Sequence, residues 1–130
     1  ISMRASWTLQ HLSFEKPEMI KPVIPQLIKF LGGANQHTGA IRNVIRIFQE
    51  VEIPEKYCGP IFDLCLGFLK NTTLPHAVRV FSLYVLTNIC KKYPELKLEV
   101  ELIISEFRTF PQPPSMIAAM KKCSKILLKL

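Results

Sequence analysis

Apolar residues recur along most of the chain at the three- and four-residue spacing of helices that bury one face. Short segments rich in proline, glycine, asparagine and threonine separate these stretches and are typical of turns. Thr38 and Thr73 stand where they could cap the third and fifth helices. The pattern predicts an all-α chain with helices at Ser2–Phe14, Glu18–Leu31, Gly39–Val51, Glu55–Lys70, Leu74–Lys92, Leu96–Arg108 and Ser115–Leu130.

Prolines predict where two of these helices begin irregularly. Pro22 and Pro25 lie early in the second helix, and each removes one backbone donor and crowds the preceding turn. We therefore expect an irregular first turn around Lys21–Pro25. Gly59-Pro60 predicts a similar disturbance in the fourth helix, and Gly32-Gly33 should end the second.

A short motif recurs at the start of alternate helices, namely the first, third, fifth and seventh. It consists of a small residue, an apolar residue and usually an arginine, and its third positions lie 38, 37 and 38 residues apart. A Pro-Glu pair follows three of the copies at a similar distance. Repeats of this length are typical of stacked helix pairs. The copies are Ser2-Met3-Arg4, Ala40-Ile41-Arg42, Ala77-Val78-Arg79 and the degenerate Ser115-Met116-Ile117, and the pairs are Pro17-Glu18, Pro54-Glu55 and Pro94-Glu95.

The fifth helix, Leu74–Lys92, is apolar on several faces, including Val78, Phe81 and Leu83. A helix of this kind must be covered on several faces. It is therefore predicted to form an internal layer with Phe81 in the core.

The composition fits a folded chain. Of its 130 residues, 48% are hydrophobic, and the mean hydropathy is +0.20. We expect one domain over residues 1–130. Because the chain starts at Ile1 and the first motif follows at once, we also expect residues upstream of it in a longer protein. The longest apolar stretch, Val78–Cys90, is too short to span a membrane.

The cysteines and histidines do not have the spacing of a metal-binding or disulfide-forming site. The four cysteines form no CxxC pair, and the three histidines are scattered, so no metal site or cofactor is expected. The cysteines are interpreted as reduced core residues of a cytoplasmic protein. Trp7 lies among the apolar positions of its helix and is expected to pack in the core. Cys58, Cys65, Cys90 and Cys123 are the cysteines, and His11, His37 and His76 the histidines.

The sequence resembles the HEAT-like repeat family. The resemblance rests on the apolar-Arg pairs, on Pro-Glu between helices and on apolar second helices ending in Leu31, Leu69 or Phe107. It implies a right-handed α-solenoid of antiparallel hairpins, about three repeats plus a final unpaired helix. The family often carries an aspartate before the arginine, whereas the one aspartate here, Asp63, is in a second helix. The arginines are therefore expected to bind carbonyls or face solvent.

Two functions are compatible with these features. The leading hypothesis is a non-enzymatic scaffold for a protein partner, because no paired carboxylates, catalytic triad or phosphate loop is found and no small-molecule substrate is implied. The alternative is a nucleic-acid-binding module like the HEAT-like alkylpurine glycosylases, indicated by the net charge of +7. Glycosylase activity is its less supported form, since no catalytic set can be placed. The candidate binding residues are Arg42, Arg46, Lys121, Lys122, Lys125 and Lys129.

Overall fold

The computed structural model describes all 130 residues and contains helices but no strands. The all-α fold class is confirmed, and every predicted helix is present. Short 3-10 turns at Pro17–Met19, Lys21–Val23 and Pro94–Leu96 precede two of the helices. The helices are α1 (Met3–Glu15), α2 (Ile24–Leu31), α3 (Thr38–Glu50), α4 (Glu55–Lys70), α5 (His76–Lys92), α6 (Lys97–Phe107) and α7 (Pro114–Leu128).

The prolines act as predicted before α2 but not in α4. Two 3-10 turns replace the first turns of the second predicted helix, and regular α-helix begins only at Ile24. In contrast, α4 is continuous over Glu55–Lys70 with Pro60 inside it, so the predicted disturbance there is wrong. Pro60 is the sixth residue of α4, so it removes one hydrogen bond, the one to Lys56 O, and the helix continues on both sides of it.

The two predicted threonine caps are also wrong. The residue that caps α3 is His37, whose Nδ1 accepts a hydrogen bond from the Gly39 amide at 3.0 Å. Thr73 lies outside α5 and donates instead to Asn71 Oδ1, while Pro75 occupies the N-cap position without a side-chain bond. A neighbouring side chain therefore caps α3, whereas α5 begins without a side-chain cap.

The chain divides into two compact units, residues 1–64 and 65–130, with the boundary inside α4. In the first unit, α1 packs along α3, and α2 also contacts α3. The core of this unit consists mainly of branched side chains from α2, α3 and α4. They include Ile24, Leu27, Leu31, Val44, Ile45, Phe48 and Ile61.

Helix α1 is buried through small polar residues. Its buried positions are Ser6 and Ser13, and Ser6 Oγ accepts a hydrogen bond from Asn43 Nδ2 of α3 at 3.1 Å. Trp7 is 54% exposed and contacts His11, with 4.0 Å between ring centroids. The predicted core position of Trp7 is therefore wrong, because α1 contacts α3 through the face that carries Met3 and Ser6 and leaves Trp7 exposed.

Helix α5 is the most enclosed element of the second unit. It packs against α6 and α7, and its buried residues lie on nearly every face. Leu83 and Leu86 are fully buried, but Phe81 is only partly buried, so the expectation that Phe81 belongs to the core is corrected. The prediction of an enclosed helix is otherwise confirmed.

The polar groups buried in α5 have partners. Ser82 and Thr87 donate their hydroxyls to carbonyls one turn earlier, Val78 O at 2.7 Å and Leu83 O at 2.9 Å. Arg79 donates from Nε to Leu69 O at 3.1 Å, near the end of α4. Since buried polar groups without partners are destabilising, these bonds make the burial of α5 possible.

We predict that Leu86→Ala will lower the free energy of unfolding by about 2 to 5 kcal/mol, because it leaves a cavity beside a helix that is covered on nearly every face. Urea denaturation followed by circular dichroism measures the change. The matched control is Leu102→Ala, since Leu102 is 61% exposed and should change stability by less than about 0.5 kcal/mol. Equal effects of the two substitutions would contradict the assigned core.

Candidate binding site

The linker between α6 and α7 forms a ridge on the surface of the second unit. Phe110 donates its amide to Phe107 O at 3.2 Å, and the Gln112 side chain donates to the same carbonyl, also at 3.2 Å. Pro111, Pro113 and Pro114 limit the backbone further. The linker is therefore held in one shape, with Phe110 57% exposed.

A groove of about 740 Å³ lies between this linker and α7, and we call it the linker groove. Its apolar lining includes Phe107, Phe110, Pro111, Ile117, Met120 and Leu128. Three of these side chains, Phe110, Ile117 and Leu128, are more than half exposed. Large exposed apolar side chains that share a groove are typical of a contact surface.

The charges of the linker groove have one sign. Arg108, Lys121 and Lys125 line it, and no carboxylate does. Arg108 donates from Nη2 to Ser124 Oγ at 2.8 Å, which joins the end of α6 to α7 across the groove. The groove therefore combines an apolar floor with a cationic border.

A second pocket, of about 570 Å³, lies beside the same linker and contains Arg79, so we call it the Arg79 pocket. It shares Phe107, Phe110, Pro111 and Gln112 with the linker groove. Lys70, Thr72, His76 and Glu106 complete most of its lining.

Arg79 is 5% exposed, and its guanidinium carbon lies 5.1 Å from the centroid of the Phe107 ring. Burial lowers the pKa of Arg79, although an arginine keeps its charge at neutral pH. The expectation that the motif arginines bind carbonyls or face solvent holds for two of them. Arg79 binds Leu69 O, and Arg4 is exposed.

The candidate binding residues predicted from sequence fall in both units. In the first unit Arg46 pairs with Glu50 and lies 5.4 Å from the Phe14 ring centroid, while Arg42 is half-buried and donates to Asn43 Oδ1 at 3.4 Å. In the second unit all four lysines are exposed, three of them on α7 and Lys129 directly after its end. Lys121 and Lys125 line the linker groove, Lys122 lies 5.6 Å from the Tyr84 ring centroid, and Lys129 lies near the end of the helix. Their role in binding stays a prediction.

Sequence reasoning missed the two grooves themselves. The pattern predicts only that the helices end at Arg108 and resume at Ser115, and it gives Arg79 no ligand. The available signal was an aromatic residue placed among prolines, which a rigid exposed linker would present to a partner.

The remaining chemistry of the chain is limited. All four cysteines are buried and unpaired. Burial raises the pKa of Cys65 to about 12, against a smaller lowering by a hydrogen bond with Ser82, and burial together with nearby glutamates raises that of Cys90 to about 11. Such thiols stay protonated and unreactive. No three His, Cys, Asp or Glu side chains are placed to hold a metal ion, and no helix is long and apolar enough to cross a membrane.

Comparison with known families gives one match: the model of the HEAT repeat domain fits residues 1–127. No curated protein and no solved structure matches the chain. The match covers nearly all of the chain and agrees with the resemblance seen in its motifs.

We predict that the thiol of Cys65 makes stability fall as the pH rises from about 9 to about 12. In this range the unfolded chain releases the thiol proton while the folded chain retains it, so unfolding is favoured by up to about 1.4 kcal/mol per pH unit. Urea denaturation at several pH values measures the slope. Cys65→Ala should have a shallower slope, whatever its stability at pH 8, and equal slopes would contradict the assignment.

Proposed function

The chain belongs to the HEAT repeat domain family, and from this premise we propose that it is a non-enzymatic scaffold that binds a protein partner. Members of such repeat families stack helix pairs and use the extended surface for binding. The observation that carries the proposal here is the linker groove, where exposed Phe110, Ile117 and Leu128 share one depression.

The groove has the composition expected of a protein contact. Aromatic side chains, methionine and arginine are enriched where proteins bind each other, and Phe110, Met120 and Arg108 all line the groove. Its preformed linker also reduces the entropy lost on binding. Neither pocket of the second unit holds a pair of carboxylates or a reactive thiol, which supports a binding role over a catalytic one.

Nucleic-acid binding is the second candidate, and the lysines of α7 favour it. Lys121, Lys122, Lys125 and Lys129 are all exposed, and their spacing places them on one side of the helix. However, lysines near a helix C-terminus are also favourable to the helix dipole. The apolar floor of the linker groove has no counterpart in a phosphate-binding surface, so we place this candidate second.

We predict that the chain binds duplex DNA weakly or not at all. Fluorescence anisotropy with a labelled duplex at low salt tests this. A phosphate-binding surface that makes about six contacts would lose affinity by orders of magnitude as salt rises. Tight binding at low salt with such a dependence, lost in a variant in which the four α7 lysines are glutamine, would favour the second candidate over a protein scaffold.

We predict that Ile117→Ser/Leu128→Ser will lose the protein partner. The change removes two apolar anchors of the groove from exposed positions, so the fold should be retained, which circular dichroism checks. Capture from a cell extract followed by mass spectrometry compares the variant with the wild type. The control is Leu98→Ser/Leu102→Ser, because these leucines are equally exposed on α6 but do not line the groove. Loss of the same partners in both variants would contradict a role for the groove.

A further inference from the structure

The Arg79 pocket lies at the N-terminus of α5. His76, the first residue of this helix, lines the pocket, and Pro75 provides no side-chain cap. The first amides of a helix have no acceptor within the helix, and the end of the helix carries partial positive charge. Since α5 runs for 17 residues, this field is fully developed. The helix end favours an anion but does not by itself define a site.

The second observation is the state of the Arg79 side chain. It is 95% removed from solvent, and its Nε donates to Leu69 O. Its two Nη nitrogens have no hydrogen-bond acceptor in the protein, and no carboxylate pairs with the guanidinium. Neither Nη nitrogen is fully buried, so both can be reached from the pocket, and an anion there would give the guanidinium charge-assisted hydrogen bonds that no carboxylate of the chain supplies.

The neighbouring charges favour an anion of modest charge. Lys70 and His76 add cationic or polar groups to the rim, while Glu106 contributes one negative charge. With Nε already occupied, the guanidinium offers the edge formed by its two Nη groups. This edge matches the two oxygens of a carboxylate.

We propose that the Arg79 pocket binds a carboxylate from an acidic peptide segment of the partner protein, and that apolar side chains of this segment lie in the linker groove. The proposal rests on the proposed scaffold function and specifies its partner. The two cavities share Phe107, Phe110, Pro111 and Gln112, so one extended segment that crosses the linker contacts both. The cationic border formed by Arg108, Lys121 and Lys125 complements further acidic residues of the same segment.

Selection of random linear peptides displayed on phage tests this inference without a known partner. Enriched peptides should combine Asp or Glu with aromatic or aliphatic residues. Synthetic copies are then compared with versions in which each Asp is Asn and each Glu is Gln. We expect the amide versions to bind the wild type about 10- to 100-fold more weakly, as for the loss of a hydrogen bond to a charged group.

The variant Arg79→Met keeps much of the buried stem and removes the guanidinium. In this variant the difference in affinity between the acidic and amide peptides should become about 10-fold smaller, because the carboxylate has lost its buried partner while the other cations of the two cavities remain. As Arg79 also binds Leu69 O, folding of this variant is checked by circular dichroism. Lys70→Gln and His76→Gln change exposed residues of the pocket and should weaken binding of the acidic peptide a few-fold. These two variants test the site even if Arg79→Met does not fold. The control Lys16→Gln alters an exposed charge in the first unit and should have no effect.

The outcomes separate this inference from the scaffold function. Enriched peptides that lack acidic residues, or amide peptides that bind the wild type as well as acidic ones, would overturn the carboxylate site and leave the scaffold intact. Displacement of the acidic peptide by inorganic phosphate at equal concentration would show a general anion site and overturn the preference for carboxylate. If no peptide is enriched and the Ile117→Ser/Leu128→Ser variant keeps all partners, both the site and the proposed function fail.

Discussion

The arrangement of helices in the second unit depends on the burial of α5. This helix carries apolar residues on several faces, and α6 and α7 pack against it. Because an apolar helix can be stable only where its faces are covered, the positions of its neighbours follow from its sequence. The same burial requires that Ser82, Thr87 and Arg79 find acceptors, and each donates to a carbonyl of the backbone. The enclosed helix therefore ties its own first turns to the end of α4.

The candidate site arises from this arrangement. Arg79 is buried because it belongs to the first turn of an enclosed helix, and its contact with Leu69 O uses only one edge of the guanidinium. The proline-rich linker that follows α6 is hydrogen-bonded to Phe107 O, and its residues line both cavities. An arginine at a repeat position thus serves the scaffold through Nε and remains able to bind a ligand through Nη. The two roles do not exclude each other, since they use different atoms.

The periodicity of the sequence was sufficient to predict the all-α fold class and its helices. Apolar spacing and prolines predicted all seven helices, most of them with ends within two residues, because both signals act locally. Trp7, Phe81 and the threonine caps were predicted incorrectly. Burial of the two aromatic side chains depends on which face of each helix packs against its neighbours, and capping depends on the residue at which each helix begins. Of the candidate site, Lys121 and Lys125 were found from charge alone. The Phe110 linker had a local signal in its prolines, whereas the free Nη edge of Arg79 could not be found, because it depends on how α5 packs against the end of α4 and against Phe107.

The packing of α1 on α3 has a consequence for how the first unit opens. Helices held by buried leucine or phenylalanine separate only when a large apolar area is exposed to water. The only buried residues of α1 are Ser6 and Ser13, and its contacts with α3 include bonds from Asn43 to Ser6 and Met3, the packing of Met3 on Gly39, and Arg46 over the Phe14 ring. Because the apolar side chains of α1 stay partly exposed, its contact buries less apolar area than the contacts among the core residues of α2 and α3. Helix α1 should therefore be a separate cooperative segment that detaches while the apolar core of α2 and α3 remains closed. The first unit would then have a partly open form of low free energy, in which the α3 surface around Asn43 is accessible.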